Sequence, residues 1–188
     1  STRPPQHQVP PAGCLDDPDY WRTLLPELTF TSLQPYPPEV LNNTELITDP
    51  DSLRADVARY GYHIGRSGLP FVKELASAAE SLTRRGLHAI WTILSDEVWM
   101  LAKWFQPLLQ TAYPEFRLLS DYFAFVVDPD NADQRQGWPP HRDRADMPFR
   151  DTDKSPHYVT VWISLTDATP ENGCIYLVPK TADPDYAT

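Results

Sequence analysis

The chain has 188 residues, 41% of them hydrophobic and 12% aromatic, enough for one folded domain with a sizeable core and too apolar for a disordered chain. Its formal net charge of −10 speaks against nucleic acid or an anionic membrane surface as a partner, because either would be met by basic patches. No apolar run approaches the roughly 20 residues that span a bilayer, and two cysteines, Cys14 and Cys174, support neither a disulfide framework nor a thiolate zinc site.

Proline is the outlier, with 21 residues, ten of them among the first fifty. Pro4, Pro5, Pro10 and Pro11 break helices and remove strand donors. Residues 1–45 are therefore expected to be an irregular arm that wraps the domain through Tyr20, Trp21, Leu24, Leu25 and Phe30. A helical support region follows over 46–117. Asp49 suits an N-cap, Pro50 the first helical position, and Gly61 a left-handed close, with Leu53, Val57 and Tyr60 on one face. The segment "YGYHIG" suits a short strand, and residues 71–84 favour helix. A further helix is expected from Ser95, where Asp96 and Glu97 complement the dipole. Its apolar positions 98, 101, 102, 105, 108, 109 and 112 keep helical spacing. Pro107 should kink or restart it, and Trp99 and Trp104 fall off the main stripe.

From residue 118 the period changes to two. "DYFAFVVDP" and "HYVTVWISLTD" suit strands; in the second, Val159, Val161, Ile163 and Leu165 face one way and Thr160, Trp162 and Ser164 the other. "ATPENG" suits a turn with Asn172-Gly173 supplying positive φ, and "CIYLVP" a returning strand. Helices followed by antiparallel strands imply an α+β domain.

Between the first two strands lies "GWPPHRDRAD". The letters of His141-Arg142-Asp143 match a kinase catalytic loop, but that loop needs an asparagine where Pro148 stands, and no Asp-Phe-Gly follows. Glycine-rich phosphate loops are absent as well. In an extended segment, residues i and i+2 project to the same side roughly 6.6 Å apart, so His141 and Asp143 can converge on one ion. An imidazole and a carboxylate are two members of the 2-His-1-carboxylate triad of non-heme Fe(II) oxygenases. The bland alternative is a surface loop with a local Arg-Asp pair.

The order of strand, HxD loop, tryptophan-bearing strand, Asn172-Gly173-Cys174 turn and strand ending at Pro179 resembles the phytanoyl-CoA dioxygenase family of Fe(II)/2-oxoglutarate oxygenases. The resemblance covers 118–179 and reaches back more loosely to "LRADVARYGYHI". It implies a double-stranded β-helix (jelly roll) behind N-terminal helices, with residues 118–188 forming the first part of the oxygenase core. By the same resemblance His141 and Asp143 are metal ligands, and Trp162 with Thr160 lines the 2-oxoglutarate pocket. Arg144 and Arg150 are weaker candidates for substrate contact. Fe(II) is the implied cofactor, 2-oxoglutarate and O₂ the co-substrates, and a small organic molecule the target of hydroxylation or desaturation. A carboxylate at Asp143 leaves no vacated position for chloride.

Two departures stand out. Lys180-Thr181-Ala182 replaces the family's Gly-Ser-His after the proline. The family's second histidine and its 2-oxoglutarate arginine come many tens of residues after HxD, whereas this sequence ends 45 residues after Asp143. His7, His63 and His88 precede the motif and His157 follows too soon, so the jelly roll is expected to be incomplete on its C-terminal side. The competing class is a degenerate jelly-roll binding module without a complete iron site. With no signal-peptide h-region at its start, the chain is expected in the cytoplasm.

Overall fold

A computed structural model describes residues 7–31, 49–65, 68–127, 141–143, 150 and 155–184. Its helices among these are α1 (Pro18–Leu24), α2 (Pro50–Tyr60), α3 (Val72–Arg84) and α4 (Asp96–Ala112), with 3-10 turns at Ala89–Leu94, Pro170–Asn172 and Lys180–Ala182. None is long and apolar enough to cross a membrane.

The caps explain the boundaries. Asp49 accepts from Ser52 N, Pro50 opens α2, and Gly61 closes it at φ 85°. The Ser52 N–H holds the Asp49 carboxyl below its ordinary pKa. Asp17 and Pro18 repeat the device at α1, where Asp17 accepts from Asp19 N and Tyr20 N. The arm is therefore not irregular throughout; seven residues are too few for a periodic signal, and only the cap announces this helix. In α3, Leu75, Ala78, Ala79 and Leu82 are buried at i, i+3, i+4 and i+7. Helix α4 runs through Pro107 without a break. Trp104 lies on its buried face with Met100, Leu101 and Leu108, so that stripe is wider than the sequence spacing implied. Trp99 remains partly exposed, its indole N–H donating to Ile93 O at 2.8 Å.

Two apolar clusters hold the helical layer together. In the first, Trp21, Leu25, Leu28 and Phe30 of the arm pack with Leu75, Ala78 and Leu82 of α3 and Val98 and Leu101 of α4. Leu53 of α2 joins Leu108, Ala112 and Tyr113 in the second. Burying each such side chain contributes about 1.5–3 kcal/mol, which explains why a proline-rich segment stays on the domain.

The later segments lie on this layer. Tyr122, Ile163 and Leu165 pack against the first cluster, and Phe116 and Val159 against the second. Along 121–126 the exposure alternates, with Tyr122, Ala124 and Val126 sheltered and Asp121, Phe123 and Phe125 open, the period-two pattern of an extended chain. No strand ladder is formed among the described residues; the bridge recorded outside helices joins Gln8 and Leu87. The turn forms as expected, with Cys174 N donating to Thr169 O and Gly173 at φ 89°. A Cβ on Gly173 would stand 2.7 Å from Val127 Cγ1, so glycine also permits the turn to approach the 121–127 segment closely.

Candidate functional site

His141, Arg142 and Asp143 form a short exposed turn. His141 Nε2 stands 3.2 Å from Asp143 Oδ1, with each side chain about half exposed. The two flanking residues therefore turn to a common point. Two ligands at right angles on an ion, with bonds of roughly 2.1 Å, have donor atoms roughly 3.0 Å apart. The observed contact is an imidazole–carboxylate hydrogen bond whose length is close to that spacing, and an imidazole with a carboxylate suits Fe(II). Trp138, Pro139, Pro140 and Arg144 lie outside the described residues.

The second oxygen of Asp143 is also engaged: Thr160 Oγ1 donates to Oδ2 at 2.5 Å. Thr160, expected from the sequence to line a 2-oxoglutarate pocket, is in contact with the HxD motif through this carboxylate. Hydrogen bonds of this kind orient ligating carboxylates. Trp162, two residues on, is half exposed, whereas Ile163 and Leu165 turn to the helical core. The alternation expected for this segment is not seen in its burial: Thr160, Val161 and Trp162 are all exposed, and Ile163, Ser164 and Leu165 are all partly sheltered.

Arg142 points elsewhere. Its Nε and Nη2 donate to Asp183 Oδ2 at 3.2 and 2.6 Å, a pairing the sequence reading missed because 41 residues separate the two. Arg150 pairs with Glu115 and lies over the Phe116 ring, 5.9 Å from its centroid. That placement ties Arg150 to the end of the helical layer. His157 is exposed, and no group of three or more His, Cys, Asp or Glu side chains capable of holding a metal occurs among the described residues. Among the described residues, His141 and Asp143 are thus brought together as a pair of candidate ligands.

A family model described as phytanoyl-CoA dioxygenase matches residues 58–186, more than half of the chain. No curated protein and no solved structure matches it.

Proposed function

The chain belongs to the phytanoyl-CoA dioxygenase family, and from that premise we propose that it is an Fe(II)- and 2-oxoglutarate-dependent oxygenase that hydroxylates or desaturates a small organic molecule. The observation that carries this reading is the 3.2 Å approach of His141 Nε2 to Asp143 Oδ1 within a chain of an oxygenase family. When bound, Fe(II) supplies the redox chemistry that couples O₂ and 2-oxoglutarate oxidation to attack on a C–H bond.

The protein's part is binding and orientation. Where an ion replaces the hydrogen bond between them, His141 would offer the Nε2 lone pair and Asp143 a carboxylate oxygen, and the Thr160 hydroxyl fixes the rotation of that carboxylate so that one oxygen stays directed at His141. Trp162, two residues from Thr160, is assigned to the wall of the 2-oxoglutarate pocket, where an aromatic face excludes water. The net charge of −10 gives no general attraction to polyanions, which favours a small metabolite over a phosphate-rich substrate.

A second reading, a binding module without catalysis, is favoured by the absence of a three-ligand group among the described residues. One experiment separates the two. The full-length protein should consume 2-oxoglutarate and release succinate only with Fe(II), and Asp143→Ala should reduce that turnover to background. Turnover unchanged by the substitution would remove the metal assignment, whereas 2-oxoglutarate binding without turnover in the wild type would favour the binding module.

A further inference from the structure

The side chain between the two candidate ligands is tied to a distant part of the chain. Arg142 directs both Nε and Nη2 at Asp183 Oδ2. Asp183 immediately follows the 3-10 turn Lys180–Ala182, and its own N–H donates to Lys180 O at 3.4 Å. That turn is seated on the C-terminal end of α2. Lys180 Nζ donates to Ala58 O at 3.4 Å, and Lys180 Cβ lies 3.6 Å from the Cβ position of Gly61. An ammonium at a helix C-terminus meets the negative end of the dipole and its unpaired carbonyls.

We propose that Arg142 and Asp183 are a positioning pair: they anchor the HxD turn to the α2 end and so present His141 and Asp143 together. The inference rests on the metal reading above. Arg142 lies between the two candidate ligands, so holding its side chain at Asp183 fixes the middle of the turn that carries both of them. Thr160 then fixes Asp143 from a second direction. The motif is thereby held from both sides, on the α2 side through Arg142 and at the 158–165 segment through Thr160. A turn that is mostly exposed otherwise loses conformational freedom when it binds an ion, and that loss weakens binding.

A purely structural ion pair behaves differently. Arg142 and Asp183 side chains are 42% and 21% exposed, and pairs open to water add little to folding stability. A positioning role therefore predicts a loss in metal affinity with hardly any loss in melting temperature. The test uses the full-length protein and anaerobic titration with Co(II), whose visible bands report the coordination geometry. Asp183→Asn and Arg142→Ala should each weaken Co(II) binding by about tenfold, the range seen when supports of metal ligands are removed. The double variant should be no weaker than either single one, because both remove the same contact. Exchange of the two charges, Arg142→Asp with Asp183→Arg, should recover part of the affinity if each single variant folds poorly.

His141→Ala serves as the control that separates the two levels. Co(II) binding lost in His141→Ala but unchanged in Asp183→Asn and Arg142→Ala would overturn the positioning pair and leave the metal reading standing. A melting temperature that falls in step with affinity, with no recovery on charge exchange, would also overturn it, since the pair would then serve folding alone. A wild type that binds no Co(II) would remove both.

Discussion

His88 shows how much one side chain carries at the joint between α3 and the next turn. Its Nδ1 accepts from Ile90 N at 3.0 Å, so the unprotonated imidazole caps the 3-10 turn Ala89–Leu94. His7 of the arm meets it edge to face, with ring centroids 4.6 Å apart. Burial lowers the His88 pKa from its ordinary 6.5, and the nearby His7 lowers it further. A histidine depressed in the folded state takes up its proton first in the unfolded chain. Its contribution to stability is thus complete above pH 6.5 and is lost as the pH falls from there through the folded value. His88→Asn keeps a side-chain acceptor for Ile90 N and removes the titration. Urea unfolding at about pH 7.5 and about pH 5.5 should show a smaller acid loss in the variant than in the wild type; equal losses would show that His88 does not couple to folding. The same scale contains Tyr122, whose partly buried hydroxyl meets Thr92 Oγ1 at 2.8 Å and joins the extended part to the helical layer. Burial raises its pKa, which keeps it a neutral hydrogen-bonding group.

Among the elements, the arm and the start of α4 depend on one another. Both Glu97 oxygens accept from Thr29 N, and Asp96 Oδ2 accepts from Thr31 N and Oγ1. The Asp96 N–H donates back to Thr29 O. The acidic pair that complements the α4 dipole therefore also holds the arm, with both carboxylates buried but hydrogen-bonded. Trp21 is 1% exposed and stacks on Phe30 and Trp91. Trp21→Ala should cost about 3–5 kcal/mol, measured by urea unfolding, and a loss below about 1 kcal/mol would show that the arm is dispensable to the fold. What could be read in advance follows from range. Asp49-Pro50 with Gly61 and the spacing of α3 are local signals, and so is the i, i+2 placement of His141 and Asp143. The partners of Asp96 and Glu97 lie 65 and 68 residues away, and Arg142 with Asp183 and Thr160 with Asp143 are likewise non-local. Nothing in composition or periodicity specifies such pairs. The arm's buried aromatics were legible as apolar residues, but α1 was not, because only the Asp17-Pro18 cap marks it.

Across the whole molecule the burial is uneven. The arm and α2–α4 supply the two cores, whereas 118–178 leaves Phe123, Phe125, Trp162, Ile175, Tyr176 and Val178 between 46% and 71% exposed. Single exposed hydrophobes are ordinary, but this many within one third of a chain leave much apolar area facing water. Phe123 and Phe125 even stack in parallel on the open side, 6.2 Å between centroids and 10° between planes. The same segments are extended and unladdered among the described residues, and backbone groups of extended chains readily pair with other chains. Residues 1–188 expressed by themselves should therefore bind a hydrophobic dye and self-associate with rising concentration. Substituting Phe123 and Tyr176 together by Thr should weaken both effects while changing stability by less than about 1 kcal/mol, as expected for exposed positions. Sedimentation over a range of concentrations gives the check. A wild-type chain that stays monomeric and dye-free throughout would mean that these side chains are covered in solution, and the exposed face would then be the part of this description to revise.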